Sequence, residues 1–202
     1  MKPAAFAYAR ASSVAEALAL LAAAGGTARL LAGGQSLAPM MALRLARPAS
    51  VIDIKRAGLR GASEASGRVR LGACVTHADI EDGVVPDPSR GLMPRIARGI
   101  AYRAVRNRGT LGGSLVHADP AADWPPAMLA LDAEMLVEGP QGTRRVPAAD
   151  FVTGAFTTAL TEHELLVAVE IPCLSEGARV GHCKINRKTG EFAQAIGLVV
   201  HD

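Results

Sequence analysis

An apolar stretch at residues 28–32 runs directly into Gly33-Gly34, and a helical pattern with Pro39 in its first turn follows at residues 37–45. Four apolar residues around Arg29 suit a short buried strand, paired glycines permit a reversal that a Cβ would obstruct, and proline suits a helix start, where its missing N–H costs nothing. The preceding residues fit the same plan. Ser13 and Glu16 have capping-box spacing, and the Ala/Leu-rich stretch 14–24 predicts a helix stopped by Gly25-Gly26. A strand at 51–54 then completes a β-α-β-α-β unit. Strand, glycine turn and helix in this order place backbone N–H groups at a helix start, where an anion is favoured. Ala32-Gly33-Gly34-Gln35-Ser36 lacks the spacing of a dinucleotide G-x-G-x-x-G or a Walker loop, so neither mechanism transfers. By itself the pair reads as a turn, as Gly25-Gly26 does. The functional reading is close backbone approach to a diphosphate, with Ser36 adding a hydroxyl.

Beyond Lys55 the texture changes to mixed short elements, which marks a second subdomain. The pattern predicts a strand at 69–73, helices at 76–81, 92–100 and 125–131, and strands at 133–138 and 144–146 around a Gly139-Pro140-Gln141-Gly142 turn. An apolar strand at 165–171 ends at Pro172. A last hairpin pairs 180–186 with 192–200 across Lys188-Thr189-Gly190. Residues 101–124 show little periodicity and many Gly, Asn, Asp and Pro, so they read as a long ordered loop of the kind that carries function.

Composition narrows the function classes. With 202 residues and 50% hydrophobic content the chain can bury a core, whereas an aromatic share of 3% leaves little for a base-stacking platform. The net charge of +3 is spread along the chain, which argues against nucleic-acid binding. Arg103, Arg106 and Arg108 form one local concentration, read either as a solvated loop or, beside a glycine turn, as a contact to a ligand phosphate. No signal-peptide core or uninterrupted apolar span is found, so the expectation is a cytoplasmic protein without a membrane span. Three cysteines without C-x-x-C spacing suggest neither a disulfide framework nor zinc, and an all-cysteine iron–sulfur cluster needs four ligands.

The most specific string is Arg106-Asn107-Arg108-Gly109-Thr110-Leu111-Gly112-Gly113-Ser114, leading through His117, Asp119-Pro120 and Asp123 to Trp124. Glycines interleaved with hydroxyl and amide side chains suit phosphate and ribityl oxygens, and His117 and Asp123 are placed to meet polar atoms further along a ligand. The alternatives are a turn at Asp119-Pro120 and a helix cap at Asp123.

With these strings the sequence resembles the medium, FAD-binding subunits of molybdenum hydroxylases, the group that includes carbon monoxide dehydrogenase and the xanthine dehydrogenases. The resemblance runs the length of the chain and is most specific at residues 31–41 and 107–125, and where Glu164-Leu165-Leu166 leads to Glu170-Ile171-Pro172. It implies an α+β, two-subdomain FAD-binding flavoprotein fold of the vanillyl-alcohol-oxidase type. The units would be 1–55 (small β-α-β subdomain), 56–175 (larger α+β subdomain) and 176–202 (a hairpin beginning the usual C-terminal domain). Both glycine segments would contact the FAD diphosphate: Ala32, Gly33, Gly34, Gln35 and Ser36 in the first, Thr110, Leu111, Gly112, Gly113 and Ser114 in the second. His117, Asp123, Leu166 and Lys184 match positions that line the flavin or its ribityl chain. Read without the resemblance, Lys184 is a surface strand lysine and Leu166 a core leucine. Gln35 stands where some members carry His, and Glu191 where Asp is common.

The same resemblance implies partners: a small subunit with [2Fe-2S] clusters and a large molybdopterin subunit that oxidises the substrate, this chain being the electron outlet without a catalytic acid or base. Family members normally continue into a C-terminal domain, so a truncated, non-catalytic relative acting as an assembly or interaction module is the alternative. A free-standing flavin oxidase or reductase is a third, without a residue set for its own substrate. The apolar stretch 192–200, as an edge strand, is expected to promote self-association.

Overall fold

Short strands and helices alternate at the start of the chain in the computed structural model, which describes residues 2–202. Strand β1 (Ala7–Arg10), helix α1 (Val14–Ala23), β2 (Ala28–Leu31), α2 (Leu37–Ala42) and β3 (Ser50–Asp53) form a parallel sheet in the order β1-β3-β2. Ser13 caps α1, its hydroxyl accepting from Glu16 N at 3.1 Å, while the Glu16 carboxylate reaches one residue further back to Ser12 N at 2.7 Å. Helix α2 stops short of the expected residue 45. Leu43 and Leu45 are exposed, so nothing rewards a further turn, and Arg44 adopts φ +59°.

The next elements are β4 (Ala62–Ala65), β5 (Arg68–Gly72), α3 (His77–Glu81), α4 (Leu92–Arg98), α5 (Arg103–Arg106), α6 (Leu111–His117), α7 (Trp124–Ala130), β6 (Glu134–Gly139) and β7 (Gly142–Pro147). After them come α8 (Ala148–Phe151), β8 (Val152–Gly154), β9 (Thr157–Thr158) and β10 (Leu165–Pro172). Five of these strands make an antiparallel sheet in the order β4-β5-β10-β6-β7. The central strand β10 is buried on both faces, which is why it reads as one continuous apolar run. Leu166, Val169 and Ile171 join the core built with Leu92, Ile96, Leu111, Leu115 and Met128 from the helices, whereas Leu165, Val167 and Ala168 join Ala17, Leu21 and Ile52 of the first sheet and α1. An extra residue on β10 between Leu166 and Ala168 shifts the register against β6.

The expected loop at 101–124 is instead two helices, α5 and α6, before α7 begins. Leu111 and Leu115, four residues apart and both fully buried, are the helical signal. Gly112 and Gly113 obscure it, because each lowers helix propensity by about 1 kcal/mol relative to alanine. Thr110 compensates as N-cap, its hydroxyl accepting from Gly113 N at 3.0 Å. The last hairpin pairs β11 (Arg179–Ile185) with β12 (Ala195–His201). Phe192, expected inside the second strand, lies in the connection, where Gly190 (φ +87°) bridges to Ile100. Val180, Leu198 and Val200 pack this ribbon against the larger core. Among the described residues no helix is long and apolar enough to cross a membrane.

Candidate functional site

A cleft of ≈ 720 Å³ opens where the β2–α2 turn, α6, the start of α7, β10 and β11 converge, a size suited to a small-molecule or cofactor ligand. Ala32, Gly33, Gly34, Gln35, Ser36, Thr110, Gly112, Gly113, Ser114, His117, Asp123, Leu166 and Lys184 all line it. Leu111 does not: at 0% exposure it points into the hydrophobic core. Leu166 serves both core and cleft wall, being 2% exposed and lining the cavity.

Glycine is required at these turns by contact of chain on chain. A Cβ on Gly33 would lie 2.1 Å from the Arg108 carbonyl oxygen, so the two glycine segments touch through their backbones. A Cβ on Gly112 would lie 2.6 Å from the Ala73 side chain and 2.7 Å from its carbonyl oxygen. Gly34 adopts φ +72°. These contacts join two segments nearly eighty residues apart in sequence into one wall.

The donors along that wall are divided unevenly. In the second segment Leu111 N donates to Val75 O (2.9 Å), Gly112 N to Ala73 O (3.0 Å), Gly113 N to the Thr110 hydroxyl and Ser114 N to Thr110 O (both 3.0 Å). These four amides are consumed, leaving the Thr110 amide and the Ser114 and Thr110 hydroxyls. In the first, among the described residues, the amides of Gly34, Gln35, Ser36 and Leu37 have no acceptor in the protein, which is the arrangement an anionic ligand satisfies. The Gln35 side chain turns back to Gly33 O at 3.1 Å.

At the other end Lys184 Nζ donates to Asp123 Oδ2 at 2.9 Å and to Gly99 O at 3.2 Å. Both side chains are buried, 9% and 6% exposed, so Lys184 is no surface lysine. Burial pushes the Asp123 carboxyl above the usual carboxylate range, with the Lys184 ammonium pulling in the opposite direction. Asp123 Oδ1 is buried without a hydrogen-bond partner. Asp123 occupies the N-cap of α7 yet makes no side-chain cap bond, because the second and third helix residues, Pro125 and Pro126, have no N–H to donate. Asp119 does make the expected turn, accepting from Ala121 N at 2.9 Å.

The arginines of the 103–108 stretch turn away from the cleft. Arg103 pairs with Glu81 and Asp82, and Arg106 Nε contacts Glu81 at 2.6 Å while its Nη1 donates to Ile100 O and Ala101 O, both at 3.0 Å. They tie α5 to α3. Arg108 is exposed and does not line the cavity.

Among the lining residues that were not expected are two rings, Phe156 and His77. Phe156, 60% exposed at φ +57°, packs its ring at a tilt of 53° against that of His117, the centroids 5.3 Å apart. His77, 5% exposed, accepts at Nδ1 from Trp124 Nε1 at 3.1 Å. No local pattern announces either, since their partners lie 39 and 47 residues away.

Residues 4–174 match the family described as the FAD binding domain in molybdopterin dehydrogenase. The chain belongs to this family. It is 41% identical over 201 residues to the carbon monoxide dehydrogenase medium chain of Hydrogenophaga pseudoflava, covering 99% of this chain and 70% of that protein. It is 38% identical to the nicotine 6-hydroxylase medium subunit of Paenarthrobacter nicotinovorans, with the same coverage of 99% and 70%. The solved structure of carbon monoxide dehydrogenase from Hydrogenophaga pseudoflava superimposes with a TM-score of 0.94, again over 99% of this chain and 70% of that one. The chain is therefore an FAD-binding medium-subunit member of the molybdenum hydroxylase-type dehydrogenases, with FAD as its cofactor and an α+β flavoprotein fold. The cleft fits such a group: four amides without acceptors sit at one end and an unsatisfied carboxylate oxygen at the other.

Proposed function

We propose that this cleft holds FAD and that the chain forms the electron outlet of a three-part complex. A large molybdopterin subunit would oxidise the substrate, a small subunit would relay electrons through [2Fe-2S] clusters, and an external oxidant would collect them here. When bound, FAD supplies a ring system that accepts electrons singly and releases them as a pair. The amides of Gly34, Gln35, Ser36 and Leu37, with the Ser36, Thr110 and Ser114 hydroxyls, bind the diphosphate. Leu166 and the paired rings of His117 and Phe156 exclude water from the cofactor. Lys184 orients the Asp123 carboxylate, which accepts a hydrogen bond from a flavin ring N–H. No side chain is assigned proton transfer in turnover.

The observation that carries this reading is the backbone contact of Gly33 with Arg108, which unites both glycine segments on the wall of the cleft that also contains Asp123 and Lys184. Titration with FAD, followed by quenching of flavin fluorescence and by visible absorbance of the purified complex, tests it. Saturable binding is expected. Protein that remains colourless and leaves flavin fluorescence unchanged refutes the reading and leaves an assembly or interaction module as the account. Mixing the loaded protein with a reduced [2Fe-2S] subunit tests the electron path, the expected result being bleaching of the flavin absorbance.

A further inference from the structure

His77 presents a donor that no protein group uses. Its Nδ1 accepts from the Trp124 indole at 3.1 Å, and an indole N–H can only donate, so Nδ1 is unprotonated and the ring proton sits on Nε2. The ring has no freedom to turn this nitrogen elsewhere. The His77 amide donates to Gly109 O at 2.9 Å, and a Cβ on Gly109 would lie 2.8 Å from both Nε2 and Cδ2 of the imidazole. Burial, reinforced by the Arg106 charge, pushes the ring down to about 4, so it is neutral at physiological pH.

Among the described residues nothing accepts from Nε2, although the side chain is 95% removed from solvent at 5% exposure. Nε2 is therefore the atom through which this otherwise buried ring opens onto the cleft, and a donor held there is free for a ligand acceptor. His77 lines the cleft together with Gly109, Thr110 and Ser114. The groups that remain free on this wall are hydroxyls and amides, all able to donate, which complements a ligand surface of oxygens. We propose that His77 is a cofactor-binding residue, its Nε2–H, oriented by Trp124, donating to a phosphate or ribityl oxygen of the bound dinucleotide beside the Gly109-Thr110 wall. Trp124 is then a positioning residue that sets the tautomer from the fully buried side of the ring. The inference rests on the cleft being the FAD site.

Two measurements test it. In the apo protein, long-range ¹H–¹⁵N spectra of the imidazole are expected to show the Nε2–H tautomer, with the Nε2–H resonance moving downfield on addition of FAD. His77→Phe, which removes both nitrogens but keeps a planar ring, is expected to weaken FAD binding about tenfold in a fluorescence titration. His77→Gln, whose amide can accept from Trp124 and donate onward, should recover part of that loss. Urea unfolding without FAD separates a binding defect from a folding one, and if His77→Phe does not fold, the Gln variant and the spectra decide. An Nδ1–H tautomer, an Nε2–H resonance unmoved by FAD, or a folded His77→Phe that binds as tightly as wild type overturns the proposal. Wild type that fails to bind FAD refutes instead the reading of the cleft.

Discussion

Acidification should destabilise this fold through one histidine, and His77→Gln should abolish that share of the loss. The buried His77 ring titrates at about 4, against 6.5 for an unconstrained histidine. Above pH 6.5 neither state carries the proton, so the residue contributes no pH dependence. Between 6.5 and 4 the unfolded chain binds a proton that the folded chain refuses, and stability falls as pH falls; below 4 both states are protonated and the effect levels off. A gap of about 2.5 pH units at about 1.4 kcal/mol each sets the scale: about 2 kcal/mol lost at pH 5 and about 3 kcal/mol at pH 4. Glutamine keeps an acceptor for Trp124 Nε1 and does not titrate. Urea unfolding at pH 7.5, 5 and 4, followed by the fluorescence of the single tryptophan and by circular dichroism, gives the wild-type and variant stabilities. Carboxylates titrate alike in both proteins and cancel in the difference. A wild-type-minus-variant difference that stays flat from pH 7.5 to 4 would refute the reasoning, because a neutral buried imidazole cannot avoid this linkage.

Other perturbations follow from the same geometry. Gly33→Ala forces a Cβ to within 2.1 Å of the Arg108 carbonyl oxygen, so a loss of about 1–3 kcal/mol is expected in urea unfolding without any ligand. Gly34→Ala, limited mainly by φ +72°, should lose about 1 kcal/mol. Lys184→Met leaves the buried Asp123 carboxylate without its cation, at a cost of about 3 kcal/mol. With the Asp123 carboxyl raised further in the folded state, that loss should grow as pH rises from 5 to 8, and Asp123→Asn in the same chain should restore most of it. Strand β12 pairs with β11 on one side, and Val199 on its outer face is 64% exposed. Size-exclusion chromatography should therefore show concentration-dependent self-association, and a clean monomer at high concentration would count against it.

Periodicity and punctuation were enough for most elements. The Ser13 cap and Gly25-Gly26 bracket α1, the run around Leu166 and Val169 identifies a doubly buried strand, and the strings at 31–41 and 107–125 carry the family resemblance. These signals are local, written in neighbours a few residues apart. Helix α6 was not legible, because Gly112 and Gly113 answer to Ala73 and Thr110 across the fold rather than to helix propensity. The same holds within the cleft. Sequence marked both glycine segments as alike, whereas the folded chain leaves amides free at Gly34 to Leu37 and consumes those of Leu111 to Ser114. It also turned Arg103 and Arg106 toward acids on α3 and drew Lys184 inward to Asp123. Chemical type and turn geometry belong to short stretches of sequence. Whether a donor is free, an ion pair buried or a tautomer locked depends on groups distant along the chain, and only packing brings those together.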